Sequence, residues 1–337
     1  MRRGWLAAAI AGAGAAAAAQ LLHMRRVARD PNRADLEQLP RGRPVELRSA
    51  DGTRLHGDVF GPAEGHGVVL VHGWTENTTI WIYVIRELTA RGFRVICVDL
   101  RGHGKSDPAA SDEYSLERFG EDVEAVLEAC VTDSERVVLA GHSLGAMAIV
   151  AWAEHHDVPR RVGAVGLLNT GIGDLVAEHL VVPVPKFAKA INEAISTRLV
   201  LGSPAPLPRV STPISHFLIR RFAFGPTATP AQIAFFERMV VACSPRVRAD
   251  SGIAMSKMEL HHALPQLTVP TMVMAGEKDG LTPPSHARRI AGALPQLHRL
   301  VVLPETGHMG PLERPHEFAS ALAELADAAA NTAAVAA

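Results

Sequence analysis

The sequence predicts an α/β fold, a mostly parallel β-sheet flanked by helices on both faces and interrupted by a helical insertion. Two observations carry this expectation. Short apolar runs near 67–72, 93–99, 136–142, 163–169, 270–276 and 299–303 alternate with helical patterns near 79–91, 116–131, 145–156, 284–293 and 314–329. Runs such as Val68-Val69-Leu70-Val71 are apolar throughout, as strands buried on both faces must be. Strands that alternate with helices favour parallel neighbours joined by crossovers.

The elements follow in chain order. Met1-Arg2-Arg3 precedes an uncharged, Ala-dominated stretch, Gly4 to Leu22, which His23-Met24-Arg25-Arg26 closes. At about 19 residues this stretch suits one bilayer span. Its hydrophobicity is weak, and arginines at both ends leave the orientation open. The expectation for 1–29 is therefore a membrane anchor through residues 4–22. Secretion after signal cleavage near Gln20 is the alternative, and a leader that never enters a membrane is the third reading. Residues 30–44, with Pro31, Pro40, Gly42 and Pro44 among charges, read as an exposed linker. Segments 45–48 and 54–60 alternate around Asp51-Gly52 and predict a β-hairpin at one sheet edge.

The core is expected to span 45–170 and 262–330. Between them, 171–261 breaks the strand–helix rhythm with Pro183, Pro185, Pro204, Pro206, Pro208 and Pro213. Helices are expected there near 186–199, 214–223 and 230–242. Its apolar residues, Phe235 and Phe236 among them, would mostly pack those helices, with some left to line a pocket. Arg198, Arg220 and Arg221 are its candidate clamps for an anionic substrate. From Ala328 the chain is Ala-rich.

Composition narrows the function classes. The chain is 47% hydrophobic and 20% charged, and 337 residues can bury a sizeable core. With 34 Lys+Arg against 35 Asp+Glu, no basic excess points to nucleic acid. Three Cys cannot build a disulfide framework. The pairs His155-His156 and His261-His262 lack further ligands at metal spacing, so no metal is expected.

The chemistry concentrates at strand ends. Gly141-His142-Ser143-Leu144-Gly145 reads G-x-S-x-G directly after the apolar run 136–140 and before a helical pattern. That context predicts a sharp strand–turn–helix elbow that lifts Ser143 Oγ clear of the sheet. Gly141 and Gly145 are required because strand and helix pass close together. Asp279 follows the run 271–275, and His308 follows 299–303. The order Ser143, Asp279, His308 provides a nucleophile, an orienting acid and a base. Asp174 and Glu277 are the competing acids. Val68 to Val71 ends in His72-Gly73-Trp74, which aims the next amide into the site. The oxyanion donors are thus expected to be the backbone N–H groups of Trp74 and Leu144. His72, Gly73 and His142 complete the supporting set.

His72-Gly73-Trp74, Asp99 to Asp107, Gly141 to Gly145, Asp279 and Gly307-His308 together resemble the α/β-hydrolase superfamily. They are most similar to its esterase and cofactor-free haloperoxidase-like branches, over roughly 45–170 and 262–325. The resemblance implies the α/β-hydrolase fold, a cap at 171–261, and a cofactor-free serine hydrolase. Relatives with an aspartate nucleophile, the haloalkane dehalogenases and epoxide hydrolases, share the His-Gly and D-x-R-G-x-G-x-S motifs. Position 143 is serine here, so those activities are not carried over. The expected partner is a small-molecule or lipid-like ester with an apolar acyl group. Carbon–carbon bond hydrolysis or perhydrolysis on the same triad is the alternative, and a non-catalytic binding protein on this fold is the second. Asp99 and Arg101 are expected to shape a structural turn.

Overall fold

A computed structural model describes residues 2–175, 197 and 201–336, with side chains within 13–330. Eight strands form one sheet: β1 (Arg43–Arg48), β2 (Arg54–Phe60), β3 (Gly67–Val71), β4 (Arg94–Asp99), β5 (Val137–His142), β6 (Val162–Leu168), β7 (Thr271–Gly276) and β8 (Leu297–Leu303). Their spatial order is β1-β2-β4-β3-β5-β6-β7-β8. Only the β1–β2 and β2–β4 pairings are antiparallel, and every other pair is parallel. The alternating hairpin thus forms one edge of a parallel sheet.

Continuous apolar runs become central strands because each strand feeds two cores. Val69 and Val71 of β3 enter one cluster with Phe119, Leu139 and Ile149, whereas Val68 and Leu70 enter the other with Trp81, Ile85 and Phe318. The first core lies under α4 (Leu116–Cys130) and α5 (Leu144–His155), and the second under α3 (Ile82–Ala90) and the C-terminal helix Pro315–Ala336. Helix α5 is apolar on all sides because it is enclosed: every residue from Leu144 to Ala153 is buried. The outer strand β8 is the exception. It exposes Leu297, His298 and Arg299, and Glu324 pairs with the latter two, a charged edge that resists further strand pairing.

Between β6 and β7 the chain forms α6 (Pro213–Ala223), α7 (Pro230–Ala242) and α8 (Pro245–Lys257). The first two start on capping boxes, at Thr212 with Ser215 and at Thr229 with Gln232. Helix α8 has no counterpart among the helices expected from sequence. The expected helix near 186–199, apart from residue 197, and the candidate Arg198 lie outside the described residues. Phe235 and Phe236 are buried in the second core, with Phe236 set edge-on to Phe224 at 6.0 Å.

The N-terminal expectation is corrected. Among the described residues no helix is long and apolar enough to cross a membrane. Helix α1 runs from Arg2 to Ala28, so the Ala-rich stretch is continuous with a charged end that holds Arg25 and Arg26. Alanine and glycine add too little apolar area to make residues 4–22 a span. The second half of α1 packs on the body of the protein instead. Gln20 Nε2 donates to Ser211 O at 2.7 Å, His23 Nε2 lies 2.8 Å from Ser211 Oγ, and the His23 ring meets His216 at 4.7 Å. The membrane partner and the localisation inferred from this segment go with the span. Within 30–44, α2 (Asn32–Leu36) buries Leu36 in the second core, and Arg86 Nη2 donates to the carbonyl of Asp35 at 2.8 Å.

The turn after β4 is held by a buried cation. Arg101 is fully buried and donates to Asp122 Oδ1 at 2.7 Å, Asp51 Oδ2 at 2.8 Å and Ser49 Oγ at 2.8 Å. It thereby ties the β1–β2 turn to α4. Removing one partner of such a group leaves a buried charge unpaired. Arg101→Ala should therefore lower stability by about 3–5 kcal/mol. Urea unfolding checks this, and a change below about 1 kcal/mol would show that Asp122 finds another partner or water.

Candidate active site

The C-terminal ends of β3, β5, β7 and β8 bring the expected residues to one edge of the sheet. Ser143 stands between β5 and α5 with φ 51° and ψ −116°. A non-glycine residue keeps such a backbone only where its surroundings over-determine it. Here its N–H donates to Leu168 O at 2.9 Å, and its carbonyl accepts from Ala146 N, Met147 N and Thr170 Oγ1. A Cβ at Gly145 would strike the carbonyls of Val71 and His72, and one at Gly141 would strike the backbone of Gly145 and Ala146. Close approach, not a left-handed conformation, demands these two glycines.

His308 and Asp279 form the closed half of the arrangement. His308 Nδ1 lies 2.8 Å from Asp279 Oδ2, and both residues are buried. Nδ1 therefore carries a proton toward the carboxylate, which leaves Nε2 as the basic nitrogen. Asp279 is held by more than the histidine. Its Oδ1 accepts from Leu281 N at 2.9 Å and Thr282 N at 2.8 Å, and its Oδ2 accepts from Thr282 Oγ1 at 3.0 Å and Asn169 Nδ2 at 3.1 Å. Burial pushes this carboxyl up, but the charge and hydrogen bond of His308, helped by Thr282 and Asn169, outweigh it and hold Asp279 below the ordinary carboxylate value. Among the described residues Ser143 Oγ has no hydrogen bond to His308. In free enzymes that contact is commonly long and tightens around the substrate.

The competing acids are elsewhere. Asp174 is exposed, and its amide faces Glu259 at 3.4 Å. Glu277 is exposed and faces Lys278 at 3.5 Å.

The backbone N–H groups of Trp74 and Leu144 donate to no protein acceptor among the described residues. Leu144 is the first residue of α5, so the helix itself leaves its amide free. The Trp74 indole is partly exposed and tethered, Nε1 donating to Arg248 O of α8 at 3.0 Å. His72 Nε2 accepts from Leu100 N at 3.0 Å, so its Nδ1 donates to Gly73 O at 2.8 Å. Complete burial keeps that ring neutral, its pKa pushed down to about 4. Behind it, Glu76 Oε2 accepts from Gly73 N at 2.6 Å and lies 3.0 Å from His142 Nδ1, while His142 Nε2 lies 2.8 Å from His308 O. Asp99 caps the next turn, accepting from Thr78 N at 2.8 Å and Lys105 N at 2.9 Å.

Sequence reading missed Asn169, Thr282, Glu76 and Glu313. Asn169 follows β6 with φ 45° and donates from Nδ2 to both Asp279 Oδ2 and Gly307 O. Its place at a strand end beside β7 was the available signal. Thr282, three residues after the acid, closes a turn on it. Glu313 accepts from Gly225 N at 2.8 Å and Gly307 N at 3.1 Å, so it fastens the insertion to the base loop. Among the described residues no group of three or more His, Cys, Asp or Glu could hold a metal ion.

Glu313 yields a pH prediction. Burial pushes its carboxyl up to about 7, against the pull of the two amides and with the charge of Asp279 reinforcing the rise. The folded value lies above the ordinary 4.5, so the stability linked to this group is fully present below about 4.5 and is lost as pH rises through about 7. Glu313→Gln should flatten the Tm profile between about pH 4.5 and about pH 7 relative to the parent. Equal slopes in both proteins would count against the assignment.

Known proteins agree with this architecture. The sequence profile of the alpha/beta hydrolase family matches residues 68–321. The AB hydrolase superfamily protein YisY of Bacillus subtilis is 26% identical over 278 residues, which cover 82% of this chain and 97% of that one. The pimeloyl-[acyl-carrier protein] methyl ester esterase of Vibrio atlanticus is 26% identical over 274 residues, 78% of this chain and 95% of the relative. A thermophilic esterase of Thermogutta terrifontis superposes with a TM-score of 0.64 at 25% identity, covering 84% of this chain and 97% of its own. A serine elbow, a closed His–Asp pair and free amides, all at the strand ends of this sheet, stand where that profile runs, and the chain is a hydrolase belonging to the alpha/beta hydrolase family.

Proposed function

We propose that this hydrolase cleaves a carboxylic ester, with an apolar acyl group, through Ser143, His308 and Asp279. The observation that carries the reading is the His308 Nδ1–Asp279 Oδ2 bond of 2.8 Å beside a serine held at positive φ. Ser143 Oγ attacks the carbonyl carbon while His308 Nε2 takes its proton. The tetrahedral oxyanion accepts from the N–H groups of Trp74 and Leu144, donors worth about 2.7–4 kcal/mol each in comparable sites. Collapse breaks the C–O bond, and His308 returns the proton to the leaving alcohol. Water, deprotonated by the same nitrogen, then releases the acid. His72, Gly73, Gly141, His142 and Gly145 hold the two loops that carry these groups.

The esterases among the similar proteins support the ester reading. Chemistry disfavours an epoxide substrate. Serine attack on an epoxide carbon gives an ether, which has no carbonyl for water to attack. The segment 171–261 is proposed as the cap. Its α8 reaches the site through the Arg248 carbonyl on the Trp74 indole, and the edge of the acyl pocket is assigned to that contact.

A fluorophosphonate probe should label the parent protein once and leave Ser143→Ala unlabelled. Labelling that persists at another serine overturns the nucleophile. Asp279→Asn should lower kcat by about 10⁴ on water-soluble esters, by analogy with serine protease triads. Asp174→Asn should stay near the parent rate, and the reverse ranking would move the acid. Trp74→Phe removes the tether to Arg248 but keeps the backbone donor. It should change the preferred chain length on a panel of p-nitrophenyl esters by about 1–3 kcal/mol per pocket methylene. A loss uniform across the panel would place the indole outside the acyl pocket.

A further inference from the structure

The imidazole of His142 lies entirely inside the protein, between two oxygen atoms. Its Nε2 is 2.8 Å from the carbonyl oxygen of His308, which can only accept. Its Nδ1 is 3.0 Å from Glu76 Oε2, which already accepts from Gly73 N at 2.6 Å. A neutral imidazole has one N–H and one acceptor nitrogen, so it cannot satisfy a carbonyl and a carboxylate together. Two protons are needed: one on Nε2, and one between Nδ1 and Oε2.

We infer that Glu76 and His142 form a buried carboxylate–imidazolium pair that acts as a positioning unit, fixing the oxyanion loop through Gly73 N–H and the base through the His308 carbonyl. The pair joins three segments: the loop after β3, the elbow after β5 and the loop after β8. Its packing against the backbone is tight. A Cβ on Gly73 would fall 2.9 Å from Glu76 Oε2 and 3.0 Å from His142 Nδ1, so the pair accounts for glycine at that position. Burial alone would push His142 down and Glu76 up. Each partner's charge and hydrogen bond reverse this, leaving the imidazole raised and the carboxyl lowered. The other titratable groups facing the pair are His72 and His103, both held neutral by burial, the His308 ring at 4.9 Å and, beyond it, Asp279. Asp279 adds to the preference for a cation at His142.

Two arms test this on the full chain. The first is independent of activity: ¹⁵N-edited side-chain NMR of the parent protein, with the His142 signal assigned by its loss in His142→Gln or its change in Glu76→Gln. Protons on both ring nitrogens at neutral pH are expected. A ring with a single protonated nitrogen overturns the proposal. The second arm rests on the ester-hydrolase reading. In His142→Gln, either amide orientation sets an oxygen against Glu76 or against the His308 carbonyl. Its kcat should fall by about 100-fold with KM little changed. Glu76→Gln should lose a similar factor, and the double variant should lose no more than the worse single variant, because the two residues act as one unit. Losses that multiply in the double variant overturn the proposal, because residues with separate packing roles contribute independently. Failure of the probe to label Ser143 in the parent would sink the hydrolase reading alone and leave the NMR result standing.

Discussion

Everything at this site hangs on the backbone of Ser143. A φ of 51° costs a non-glycine residue on the order of 1–3 kcal/mol, so the fold must hold it there. It does so from four sides. Strand β6 accepts its N–H, α5 returns two N–H groups to its carbonyl, Thr170 adds a hydroxyl, and β3 presses its carbonyls against Gly145. The elbow is thus fixed by the parallel sheet itself. The contacts from β6, Thr170 and β3 exist because β3, β5 and β6 are neighbours in register, Val71 opposite Gly141 and His142 opposite Leu168, and α5 adds its own first-turn bonds.

The same geometry explains why so many polar groups are buried beneath the reacting edge. Strands that end together leave carbonyls and amides without ladder partners, and a buried polar group must find one. His72, His142, Asp99, Asn169 and Asp279 fill those vacancies. They are sorted by what surrounds them. His72 meets one donor and one acceptor and is neutral, whereas His142 meets two acceptors. The identical residue type serves opposite ends because the tautomer is dictated by the neighbours, not by the ring.

Much of this was legible in the sequence because the signals are local. Apolar runs, the G-x-S-x-G turn and the strand-end positions of Asp279 and His308 are each contained in a few adjacent residues. The partners were not legible, since they are distant in sequence: Asn169 reaches Asp279 across 110 positions, and Glu76 reaches His142 across 66. Helix α8 escaped because Pro-Arg-Val-Arg-Ala-Asp-Ser-Gly has no apolar stripe, although Pro245 after Ser244 is a helix start. The N-terminal stretch misled for a different reason. Absence of charge is not affinity for lipid: Ala and Gly supply little apolar area, and the helix runs on to Arg25 and Arg26.

The insertion and the base are mechanically one unit. The carbonyl of Ala223, at the end of α6, accepts from both His308 N at 2.8 Å and Met309 N at 3.0 Å. Two residues on, Gly225 lies so close to the base loop that a Cβ would strike the carbonyl of Glu305 and come within 3.0 Å of Gly307 N, and the Glu313 carboxyl bridges the two glycine amides. The backbone of His308 is therefore anchored on one side by His142 and on the other by the corner between α6 and α7. Any displacement of that corner moves the imidazole relative to Ser143, which the sheet holds still. Since Ser143 Oγ and His308 have no direct bond among the described residues, the position of the imidazole depends on these two backbone anchors together with the Asp279 carboxylate at its Nδ1.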